Sequence, residues 1–153
     1  MKKEPLYVRE VYVKYRNKRV PRKASHILKS RIPSSDNISK LFSNLKNETV
    51  EKTYVVNLDN KKKMRSFSLL SIDSFDNVIR KPVEIFKSAI LTNSTSIILV
   101  HNHPSGNPMP SNNNIYVTKI LKHIGKLIGI ELLDHVIIGN DKYYSFKEKY
   151  IQE

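Results

Sequence analysis

Two histidines set two residues apart, His101 and His103, close the most apolar stretch of the chain, Ile97-Ile98-Leu99-Val100. In an extended strand, residues i and i+2 project to the same side, so both imidazoles can converge on one point. Neutral imidazoles converging in this way form the nitrogen part of a metal site, and zinc is their common partner. Pro104 and Gly106 turn the chain at once, leaving the pair at a strand mouth, where sites in α/β folds gather. A catalytic zinc takes three protein ligands and keeps one position for water, so an oxygen ligand must come from elsewhere in the chain. A bare His-x-His is more often two polar residues bonded to backbone at a strand end. The buried strand before it, Pro104-Ser105-Gly106 after it, and Pro110-Ser111 at the entrance to a helix make this pattern more restrictive.

The elements that must position this pair can be read on either side of it. Val50–Leu58 and Met64–Ile72 alternate as strands around the polar turn Asp59-Asn60-Lys61-Lys62-Lys63. Pro82 opens a helix over about Val83–Asn93, with Ile85, Phe86, Ala89 and Ile90 as its apolar stripe. Ser96–Val100 reads as a buried central strand, and residues 101–114 as a loop. Ile115–Ile128 is the strongest helix, with Val117, Ile120, Leu121, Ile124 and Ile128 on one face and Gly129 as its stop. Leu132–Ile138 and Tyr143–Phe146 flank a hairpin turn. Upstream, Pro33-Ser34-Ser35-Asp36 caps a helix over roughly Ser35–Leu45, and Leu6–Tyr15 reads as a strand. The order β-α-β-β-α-β-α-β-β predicts a mixed α/β or α+β domain.

With these residues in view, His101–Ser145 resembles the RadC family, a branch of the JAB/JAMM metallopeptidase-like domains. The likeness rests on His101-Asn102-His103-Pro104-Ser105-Gly106, on Pro110-Ser111, on Leu133-Asp134-His135 with its strand, and on Tyr144-Ser145-Phe146. Pro82-Val83-Glu84-Ile85-Phe86 is similar to the family's Pro-Arg-Glu helix with Val83 in place of Arg, and Glu51 matches its strand-opening Glu. The resemblance spans about Val50–Phe146. It implies a mixed sheet flanked by helices, of the cytidine-deaminase-like kind, over residues 47–153. Residues 1–46 would be a basic extension similar to that of short phage or mobile-element members. It further implies that His101, His103 and residue 114 are zinc ligands. Glu51 would be the general base, Ser111 the oxyanion donor, and the reaction zinc-dependent cleavage of a peptide or isopeptide. A metal lowers the pKa of its water to about 7, a carboxylate can take the proton, and a hydroxyl can stabilise the oxyanion.

Position 114 departs from the pattern: it is Asn where the family has Asp. A neutral amide oxygen is a weaker ligand than a carboxylate. Three readings follow. The site has lost its metal and the chain is a pseudo-enzyme; it holds metal weakly or through another carboxylate such as Asp134 or Asp73; or the substitution was introduced. Asp73-Ser74, where the family has Gly-Thr, is a second departure. Glu84 rivals Glu51 as the functional carboxylate, though it reads better as a residue that caps or positions the His101–Gly106 loop. Asp134 and His135 read either as a pair that orients a ligand histidine or as buried polar groups bonded to backbone. His123 and His26 read as surface residues.

Composition supplies the competing hypothesis. The 153 residues carry 27 Lys and Arg against 14 Asp and Glu, a net +13. The length suits one domain. The absence of Cys excludes disulfides, thiolate ligands and thiol nucleophiles. No apolar run is long enough to span a bilayer and no apolar segment follows Met1-Lys2-Lys3, so no membrane association, no signal peptide and a cytoplasmic location are expected. Arg16, Lys18, Arg19, Arg22 and Lys23, with Tyr7, Tyr12 and Tyr15, form a basic arm that could neutralise phosphates and stack on bases. The same residues serve equally as a charged edge that keeps the chain soluble. The alternative function is therefore a non-catalytic module that binds DNA or protein, in line with the family's historical association with DNA repair. A third is recognition of an acidic or ubiquitin-like tail without cleavage.

Overall fold

The computed structural model describes Tyr12, residues 14–19, Arg22, and residues 25–29, 33–72 and 81–150. Five strands form one mixed sheet in the order β2-β1-β3-β4-β5: β1 (Lys52–Leu58), β2 (Met64–Ile72), β3 (Ser96–Asn102), β4 (Glu131–Ile138) and β5 (Tyr143–Ser145). β3 and β4 run parallel, and all other neighbours are antiparallel. The helices are α1 (Ser25–Lys29), α2 (Ser35–Leu41), α3 (Pro82–Leu91), α4 (Asn112–Ile128) and α5 (Phe146–Tyr150). The expected α+β architecture, a mixed sheet flanked by helices, is what the chain forms.

β3 is buried along its whole length because both of its faces are covered. Ile97 and Leu99 pack with Val55, Leu132, Ile85 and Phe86 of α3, and Val117 and Leu121 of α4. Ile98 and Val100 face the other way, into Ile38, Phe42, Leu45, Val56 and Val136. Burying each such aliphatic side chain is worth about 1.5–3 kcal/mol, which makes β3 the most securely held strand and a rigid base for its C-terminal end.

Several boundaries differ from expectation for local reasons. α2 stops at Leu41, and Ser43–Asn47 follows as a 3-10 turn rather than as more α-helix. β3 runs through His101 to Asn102, so His101 is a strand residue and not the start of a loop. α4 begins at Asn112 because the Ser111 hydroxyl accepts the N–H of Asn114 and caps it there. It ends where Gly129 takes φ 75°, a left-handed turn that glycine adopts without steric cost. Phe146 opens α5 instead of extending β5. The expected strand Leu6–Tyr15 lies mostly outside the described residues, as do Lys23 and Asp73; residues 14–19 form no strand. Among the described residues no helix is long and apolar enough to cross a membrane.

Candidate functional site

His101 and His103 meet at the C-terminal end of β3, with 3.1 Å between their Nε2 atoms. The rings converge as the i, i+2 spacing requires. Antiparallel pairing sets Thr53 of β1 opposite His101. Glu51, two residues earlier, therefore comes to the same face, and its Oε1 lies 3.7 Å from His101 Nε2. That is outside hydrogen-bond range and within reach of a shared ligand.

Asn102, between the two histidines, explains how Glu51 is held. Its Oδ1 accepts the Lys52 N–H at 2.8 Å and its amide donates to the Val50 carbonyl at 3.1 Å. One buried side chain thus grips the backbone on both sides of Glu51. The sequence reading gave Asn102 no role; its alternation to the other side of β3 was the only available signal.

His135, for which the sequence leaves open a role in orienting a histidine, approaches His101. In the parallel register His135 lies opposite Leu99 on the face that carries His101. Its Nε2 is 2.8 Å from His101 Nδ1, and its Nδ1 is 2.7 Å from Thr118 Oγ1 on α4. Phe146 stacks on the ring at 4.9 Å. His103 Nδ1 sits 2.8 Å from the Asn107 carbonyl. The Gly106 N–H closes a tight turn on the His103 carbonyl at 2.9 Å, and Gly106 itself has φ 81°. Burial holds the His135 imidazole far below its ordinary range, at about 3, with His103 contributing. Burial likewise depresses His101 well below its ordinary value, aided by His135 and His103. The Glu51 carboxylate pulls the other way from 3.7 Å, but complete burial outweighs a contact of that length, so both rings are neutral.

Asp134, the neighbour of His135, faces the opposite side of the sheet. One carboxylate oxygen accepts the Ser35 and Ser145 hydroxyls, both at 2.8 Å. The other accepts the N–H groups of His135 at 2.7 Å and Lys147 at 2.9 Å. Burial raises its pKa, and these four bonds pull it back. Asp134 makes no contact with the imidazoles; it ties α2, β5 and the start of α5 together. Glu84 is exposed on α3 and paired with Lys87 at 2.6 Å, and that hydrogen bond lowers its pKa. That partner lies on the same helix, one turn on. His26 and His123 are exposed.

Asn114 is buried in the first turn of α4. Its Oδ1 accepts the Ser111 N–H, and its own N–H donates to Ser111 Oγ, each at 3.0 Å. The Ser111 hydroxyl hydrogen is not used by this reciprocal cap, and the residue is exposed. Among the described residues no group of three or more His, Cys, Asp or Glu side chains is arranged to hold a metal ion. The histidines supply two imidazole nitrogens, and the amide oxygen expected as the third donor already accepts the Ser111 N–H. Two nitrogens on a tetrahedral zinc stand about 3.3 Å apart, close to the 3.1 Å between these two. The nitrogen half fits a metal; the oxygen half fits one held more weakly than by a carboxylate. Of the basic arm, Arg16, Lys18, Arg19 and Arg22 are exposed, and Lys18 Nζ lies 5.5 Å above the Phe67 ring.

Comparison with known proteins places the chain in a family. Residues 32–151 match the RadC-like JAB domain. A UPF0758 protein of Methanosarcina acetivorans is 43% identical over 109 residues, covering 71% of this chain and 48% of the relative. One of Alkaliphilus metalliredigens is 46% identical over 121 residues, covering 78% and 52%. One of Clostridium perfringens is 39% identical over 128 residues, covering 83% and 56%. The chain spans about half the length of the curated relatives it matches.

Proposed function

Because the chain belongs to the RadC-like JAB domain family, we propose that it carries an amide-hydrolase centre with a weakened zinc site, acting on a peptide or isopeptide bond slowly or not at all. The observation that carries this reading is the meeting of two imidazole nitrogens at 3.1 Å with the Glu51 carboxylate 3.7 Å from one of them. His101 and His103 would hold the metal, with the Asn114 amide oxygen as a neutral third donor. The metal would supply electrophilic activation of water and of the scissile carbonyl. Glu51 accepts the proton of the attacking water and returns it to the leaving amine. Asn102 keeps Glu51 in place from both sides. The Ser111 hydroxyl donates to the oxygen that gains charge as the carbonyl is attacked.

Metal content of the purified protein tests this. The expected result is close to one zinc per chain after zinc is supplied, lost on His101→Ala. A carboxylate at 114 adds a negative charge beside a doubly charged ion, worth about 2 kcal/mol even at high dielectric, or roughly thirtyfold in affinity. Asn114→Asp should therefore bind zinc more tightly. No uptake by the wild-type chain at any zinc concentration would overturn the hydrolase reading.

The net charge of +13 favours a second reading, a module that binds DNA through Arg16, Lys18, Arg19 and Arg22. It predicts binding whose logarithm falls linearly with the logarithm of salt. Absence of binding at low salt removes it.

A further inference from the structure

The hydrogen-bond chain behind His101 can be resolved proton by proton. Thr118 Oγ1 lies 2.7 Å from the Asn114 carbonyl. A carbonyl only accepts, so the Thr118 hydroxyl hydrogen goes there. His135 Nδ1, 2.7 Å from the same hydroxyl oxygen, must then be the donor and carry the ring hydrogen. A neutral imidazole has one N–H, so His135 Nε2 is an acceptor. Its partner at 2.8 Å, His101 Nδ1, is therefore N–H as well, and His101 Nε2, which meets His103 at the site, can only accept. Every link is fixed by the carbonyl at the far end.

We propose that Thr118 and His135 are positioning residues which lock His101 in the Nδ1–H tautomer and so present its Nε2 lone pair to the centre. The role in metal binding rests on the function proposed above; the tautomer lock does not. His103 Nδ1 independently donates to the Asn107 carbonyl at 2.8 Å. In the 3.1 Å contact between the two Nε2 atoms His101 can then only accept, and a cation shared by the two rings would take up that lone pair. Neither Thr118 nor the helix that carries it is part of the histidine motif. α4 thus reaches the line of rings through the Thr118 hydroxyl, one turn after Asn114.

The test is the long-range ¹H–¹⁵N spectrum of the histidine rings in the metal-free full chain at neutral pH. His101 and His135 should both show the Nδ1–H pattern, while exposed His26 and His123 should not be held in it. Thr118→Val keeps the shape of the side chain and removes the hydroxyl. His135 Nδ1 then has no acceptor, so His135 and His101 should both switch to the Nε2–H form. That hydrogen would block the site, and zinc affinity should fall about 10–100-fold. Thr118→Ser should restore both the spectrum and the affinity. A wild-type His101 in the Nε2–H form, or a Thr118→Val spectrum unchanged at His101, overturns the lock. If the valine variant does not fold, the wild-type and serine spectra still decide. A correct spectrum from a chain that takes up no zinc leaves the lock standing and removes the hydrolase reading.

Discussion

Two buried polar clusters sit back to back at the middle of β4, one residue apart. On one face Asp134 accepts four hydrogen bonds from two hydroxyls and two backbone N–H groups, and every donor finds it within 2.9 Å. On the other face His135 starts a line of three imidazoles that ends in two nitrogens 3.1 Å apart. The first cluster is complete within the protein and joins segments far apart in sequence, Ser35 and Asp134 being 99 positions distant. The second joins β3, β4 and α4 and ends where two imidazoles meet the Glu51 carboxylate. Burial alone does not separate structural from functional polar groups; the chemistry of the groups that meet does.

That contrast can be broken by experiment. Asp134→Ala leaves two hydroxyls and two N–H groups without their acceptor, and should cost about 3 kcal/mol or more of stability in urea unfolding. A loss under about 1 kcal/mol would mean the cluster is not a staple. The imidazole cluster should instead gain from outside. Zinc at about 100 times its dissociation constant should add about 2.7 kcal/mol to unfolding stability, and His103→Ala should abolish the increment. An equal increment in that variant would place the ion elsewhere.

Acid sharpens the contrast further in the metal-free chain. His135 falls from an ordinary 6.5 to about 3 on folding, and His101 moves in the same direction. The unfolded chain therefore takes up protons first. The stability tied to neutral His135 is whole above pH 6.5 and is lost as pH falls from there toward 3. It should contribute a slope of about 1.4 kcal/mol per pH unit inside that window, and His101 adds to the loss in the same direction. A flat profile across it would show that the rings are not buried neutral. At the small end, Glu84→Gln should leave the melting temperature and zinc uptake unchanged, since Glu84 is exposed and paired with Lys87 on the surface of its own helix. A change in zinc uptake would restore it as a rival to Glu51.

Local rules made much of this molecule legible. Uninterrupted apolar residues announced β3, Pro82 announced α3, and Gly129 marked the end of α4. The convergence of His101 and His103 follows from strand geometry alone, and so does the opposition of Asp134 and His135 across the sheet. What stayed hidden were partners separated by long stretches of chain. Asn102 holding Glu51, Thr118 behind His135, and Ser35 on Asp134 all depend on which strands pair and in which register. Asp134 and His135 looked like one unit because they are adjacent in sequence, yet alternation sends them to different tasks.

The sequence by itself determined the types of group available, the absence of any thiol, the neutral residue at 114 and the side of the strand on which each histidine stands. Those are properties of single residues and of a two-residue period. Tertiary structure decided that β1 brings Glu51 to His101, that β4 brings His135 beneath it, and that α4 sets the proton on the ring. These outcomes depend on register and helix placement, which arise from burial of two apolar faces summed over the whole sheet and leave no mark at the residues they align.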